Sequence, residues 1–115
     1  MQPDPYGPLA AELAKLGFTA QLRGADQLVV STQQGPVWPD KGNSFWISHK
    51  GGSWYLCTWL PVCYRVPAAE NIVALCSACM SCNESAMYRV PSDIVARFEL
   101  QELDDREYDR LFAPN

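Results

Sequence analysis

Three cysteines, Cys76, Cys79 and Cys82, repeat at the spacing of two successive CxxC units, the pattern most able to do chemistry in this chain. Thiolates at that spacing hold zinc or an iron–sulfur cluster when they sit on a loop. Here the surrounding residues read as a helix. Sulfurs around one tetrahedral zinc lie roughly 3.8 Å apart, whereas six helical residues separate Cys76 from Cys82 by about 9 Å of rise. No further cysteine follows closely, because Asn83-Glu84-Ser85-Ala86 comes next. The expectation is therefore that the three act as small apolar residues on a buried helix face, with no metal and no cofactor. A metal- or thiol-dependent protein built on Cys76, Cys79 and Cys82 is the first alternative. As a redox pair, Cys76 and Cys79 lie too far from the helix start for its dipole to depress a thiol pKa.

His49 is the only histidine, so imidazole chemistry near neutral pH must use it. Hairpin register places it across the sheet from Cys57, which removes a Cys–His pair. A second alternative is a small enzyme with a cleft between the Trp38 loop and the hairpin, around Asp40, Asn43 and His49.

The remaining chemistry is recognition. Phe45 to His49 and Ser53 to Leu60 read as strands joined at Gly51-Gly52, a tight-turn signal. A two-residue turn sets His49 opposite Trp54, Ile47 opposite Leu56 and Phe45 opposite Thr58 on one side. Trp46, Ser48, Tyr55, Cys57 and Trp59 then share the other side. If the first side is the core, Trp46, Tyr55 and Trp59 form an apolar face with Ser44 and Ser48 at its margin, and such faces mark binding sites. Packing of further helices over that face is the competing arrangement.

These residues need elements to hold them. Leu9, Leu13 and Leu16 predict a helix over Pro8 to Leu16, closed by Gly17. Phe18 to Leu22 and Gln27 to Ser31 predict a hairpin, and residues 32–43 a long loop around Trp38. Val62 to Val66 predicts a further strand, and Pro67 to about Asn83 an amphipathic helix. Met87 to Val90 suggests a short edge strand, Pro91 to Phe98 a third helix and Asp104 to Phe112 a fourth. Tyr-Arg-Val-Pro occurs twice, at 64–67 and 88–91, and reads as one strand-to-helix connection used twice.

The fold expected from this order is α+β: a mainly antiparallel sheet of four to five strands, an N-terminal helix, a central amphipathic helix and short C-terminal helices. The layout is loosely similar to small bacterial chaperone-like and immunity-type domains, a resemblance of fold that implies no residue role.

At 115 residues the chain is expected to be one domain, with residues 1–7 flexible and 113–115 a tail. The net charge of -4 is concentrated: Glu99 to Arg110 carries six acidic residues against Arg106 and Arg110. With no basic cluster to neutralise phosphates, nucleic acid is not an expected partner. No apolar run approaches the roughly 20 residues that cross a bilayer, so no membrane span is expected. The N-terminus lacks a secretory pattern and five cysteines make an odd number, which together predict a cytoplasmic, reduced setting. The function expected is a non-enzymatic interaction domain that binds a protein partner or itself through Trp46, Tyr55, Trp59 and Trp38.

Overall fold

A computed structural model of the chain describes residues 5–24, 26–31, 44–58, 61–81 and 89–112. The elements are α1 (Tyr6–Lys15), β1 (Thr19–Arg23), β2 (Gln27–Ser31), β3 (Ser44–Lys50), β4 (Ser53–Cys57) and β5 (Cys63–Val66). A 3-10 turn (Ala69–Asn71), α2 (Ile72–Met80), α3 (Ser92–Arg97), β6 (Gln101–Glu102) and α4 (Asp105–Phe112) follow. The loop expected at 32–43 with Trp38, Asp40 and Asn43, together with Trp59, Cys82 and the tail, lies outside the described residues.

Among the described residues, six strands form one antiparallel sheet in the order β1-β2-β3-β4-β5-β6. The protein is α+β, with one strand more than the upper expectation. That strand is β6, whose Gln101 and Glu102 pair with Arg65 and Tyr64. It takes the edge position that Met87 to Val90 was expected to fill; of that segment Arg89 and Val90 are described and are not strand. Two exposed polar residues carry no strand pattern, so β6 exists because the chain leaves α3 alongside an unpaired β5 edge.

The hairpin of β3 and β4 has the expected register, with His49 opposite Trp54 and Ile47 opposite Leu56. Gly51 and Gly52 both have positive φ, 59° and 80°, the conformation of a type I′ turn, whose twist matches that of the flanking strands.

Helix α1 starts at Tyr6 rather than Pro8. Pro8 sits in the first turn, where a missing N–H leaves no hydrogen bond unmade. Residues 6 and 7, expected within a flexible N-terminus, belong to this helix. Tyr6 is buried; its hydroxyl donates to the Asp26 carbonyl at 3.2 Å and accepts from the His49 N–H at 2.7 Å. The helix thus anchors two hairpins at once.

Helix α2 is shorter than the Pro67-to-Asn83 expectation because Ala68 is still extended, with φ -116° and ψ 103°. Leu75, Cys76 and Cys79 are fully buried on its inner side. They meet Leu28, Val30, Phe45, Ile47, Leu56, Tyr64 and Val66 from the sheet, with Leu9 and Leu13 of α1 and Ile94 of α3, in one core. The Tyr64 hydroxyl also accepts from the Val90 N–H at 3.3 Å, tying the approach to α3 to this core.

Helix α3 ends with the Leu100 N–H donating to the Val95 carbonyl and the Glu99 N–H to that of Ala96. This double closure needs a left-handed residue, usually glycine; Glu99 occupies it at φ 55°. That conformation costs an ordinary residue roughly 1–2 kcal/mol.

Candidate functional site

The strands alternate, so every residue turned away from the main core lies on a second sheet face. Val29, Trp46, Tyr55, Cys57 and Cys63 form a separate buried cluster there. Trp46 and Tyr55 are 5% and 6% exposed. The open aromatic face considered from the sequence is instead a second small core, and Ser44 and Ser48, expected at its margin, are fully buried.

Helix α4 provides the cover. Along it, Tyr108, Leu111 and Phe112 fall on one side while Asp105, Glu107 and Asp109 are exposed, the pattern that drives an otherwise polar helix onto an apolar surface. Asp104 caps its start: the carboxylate accepts from the Glu107 N–H at 2.8 Å and its carbonyl from the Tyr108 N–H at 2.9 Å. Phe112 sets its edge against Trp46 at 5.5 Å and Tyr55 at 5.7 Å between ring centres. The Lys50 ammonium lies 5.2 Å from the same ring.

The cover is thin. None of the eight residues of α4 is buried, although four partly buried apolar groups, Leu103, Tyr108, Leu111 and Phe112, pack on the face. The Ser48 hydroxyl is buried with no hydrogen-bond partner among the described residues. An unmet buried hydroxyl costs about 1–3 kcal/mol. The sheet register puts Arg23, Lys50 and Arg65 on this side, and the helix that meets it is acidic.

The other candidate groups do not converge on a site. The His49 ring is half-buried, 4.7 Å from the Trp54 ring in an edge contact, and register keeps it across the sheet from Cys57. Trp38, Asp40 and Asn43, its proposed companions, lie outside the described residues. Cys76 and Cys79 point into the main core; burial, with Cys79 nearby, pushes the Cys76 thiol up. Cys82 lies outside the described residues, and among those described no three metal-ligating groups cluster.

One pair escaped the sequence reading. Cys57 and Cys63 sit directly opposite each other on β4 and β5, and both are thiols. Burial pushes the Cys57 thiol well up, helped by its side-chain hydrogen bond with Cys63. The Tyr108 phenol of α4 is raised too, first by burial and then by these two thiols. Thr58 and Val62, joined by a backbone hydrogen bond, close the connection that brings these two into register.

No family model matches the chain, and no curated protein or solved structure matches it.

Proposed function

We propose that the protein is a non-enzymatic interaction domain whose second sheet face receives an acidic amphipathic helix from a partner protein. In the resting chain that place is taken by its own α4. The observation that carries this reading is a sheet face holding Trp46 and Tyr55 beneath a helix whose apolar residues are all left partly exposed. A helix so held opens at less cost than the main core.

The partner's chemistry is read from the occupant. It needs an apolar edge to meet Trp46 and Tyr55, acidic residues towards Arg23, Lys50 and Arg65, and a polar group able to reach the Ser48 hydroxyl. Matching the last of these would favour the partner over α4, which leaves that hydroxyl unmet.

A synthetic helix with the sequence of Leu103 to Phe112, added to the full chain, tests this. Binding read by tryptophan fluorescence should strengthen when Phe112→Ala weakens the internal competitor, and vanish when the peptide carries serine at Tyr108, Leu111 and Phe112. No binding to either chain at millimolar peptide, the effective concentration typical of a short tether, would refute the reading. A shift to dimers without peptide would identify a second copy of the chain as the occupant instead.

A further inference from the structure

We infer that Cys57 and Cys63 form a thiol–disulfide couple, a reversible oxidation site lying across β4 and β5 beneath α4. The inference does not depend on any partner. It rests on where the backbone places the two sulfurs.

In an antiparallel ladder, facing residues alternate between pairs that exchange backbone hydrogen bonds and pairs that do not. The Thr58 N–H donates to the Val62 carbonyl at 2.9 Å, so Thr58 and Val62 form a bonded pair. The adjacent pair, Cys57 and Cys63, is then of the non-bonded kind. A second bond agrees: the Cys63 carbonyl accepts from the Leu103 N–H at 2.9 Å, so it points to β6 and away from β4. Non-bonded pairs bring their Cα atoms to about 4.5 Å, inside the roughly 4.4–6.8 Å span that a disulfide bridges. Both side chains lie on the same sheet face, in the cluster beneath α4. Bridging them needs little movement of the backbone.

Access is uneven between the two. Both are buried, Cys63 at 2% and Cys57 at 0% exposure, but Cys63 lines a cavity of about 350 Å3 with Arg89, Glu102, Leu103, Asp105 and Tyr108, which Cys57 does not line. The co-reactant is a small-molecule disulfide. The Cys63 thiolate attacks one of its sulfurs, forming a mixed disulfide and releasing the first small thiol. The Cys57 sulfur, protonated until this step, then attacks the Cys63 sulfur as its proton passes to the departing small thiolate, closing the protein disulfide and releasing the second small thiol. Two protein thiols lose two protons and two electrons, and one small disulfide becomes two thiols. A span of about 4.5 Å is the short limit of the disulfide range, so the bridge forms with little backbone movement yet carries enough strain to be readily reduced again.

The test uses the full chain equilibrated in oxidised and reduced glutathione, quenched in acid, alkylated and digested with trypsin. Cys57 and Cys63 fall together on the peptide Gly51–Arg65, while Cys76, Cys79 and Cys82 fall on Val66–Arg89. The expected result is loss of two hydrogens from the first peptide with one two-electron midpoint, while the second remains alkylatable. In Cys57→Ala that transition should disappear and glutathione should persist on Cys63. If the alanine variant fails to fold, the native chain still decides. Gly51–Arg65 staying reduced at every ratio, or oxidising only in denaturant, or only in parallel with Val66–Arg89, would overturn the couple.

Discussion

Replacing Phe112 by alanine should open α4 without opening the protein. The ring is only partly exposed, so it contributes at least half of the roughly 1.5–3 kcal/mol that full burial gives. Its edge contacts with Trp46 and Tyr55 each add about 0.5–1.5 kcal/mol. Lys50 over the ring adds about 0.5 kcal/mol at an accessible site. Allowing for partial re-packing, about 2 kcal/mol should be lost from helix docking, roughly a thirtyfold shift towards the undocked state. The main core shares no residue with the cluster beneath α4, so it should be unaffected. Thiol labelling reads the difference, because Cys57 and Cys63 lie under α4 while Cys76 and Cys79 lie in the main core. In Phe112→Ala the Gly51–Arg65 peptide should label about thirtyfold faster, with Val66–Arg89 unchanged. Equal acceleration of both peptides would refute the reasoning, since α4 would then open only with the whole fold.

Three further outcomes follow from the same contacts. Trp46→Ala should cost about 3–5 kcal/mol in denaturant unfolding, the range for a buried aromatic, and a loss below about 1 kcal/mol would mean that its face is not a core. Glu99→Gly should raise stability by about 1 kcal/mol by relieving the left-handed conformation, visible as a melting point several degrees higher; no change would show that the residue is unstrained. Stability should fall as pH rises above about 8.5, where unfolded thiols ionise, because Cys57 and Cys76 are held protonated by burial in the folded chain. The folded state then binds more protons than the unfolded one, and each such thiol contributes a slope of about 1.4 kcal/mol per pH unit until its folded pKa is reached. A flat chevron midpoint between pH 8 and pH 10 would contradict this.

The parts of the fold legible in the sequence are those where several local signals agree. The two-residue turn at Gly51-Gly52 defined the β3–β4 register residue by residue, and leucine spacing with Gly17 marked α1. Strand β6 was not legible, because Gln101 and Glu102 acquire their structure from the β5 edge rather than from their own pattern. The start of α1 was displaced because Pro8 is tolerated anywhere in a first turn, not only at its opening position. For the site, alternation grouped Trp46 and Tyr55 correctly, but whether α4 covers them depends on where β6 delivers the chain. Cys57 and Cys63 could be brought together only by knowing how the chain turns at Pro61, which neither residue type nor spacing determines. The expected fourth helix, Asp104 to Phe112, exposes its acidic residues, but its pattern did not say which surface Tyr108, Leu111 and Phe112 would cover.

Residue-resolved hydrogen exchange on the unaltered chain tests most directly whether α4 is a separable cover. The Tyr108 amide, bonded to Asp104, should exchange through an opening of distinctly lower free energy than the amides of Phe45, Ile47 and Leu56 in the main sheet. Protection at Tyr108 equal to that of the sheet core would show that α4 and the core open together, and would contradict the account of a second face kept for a partner.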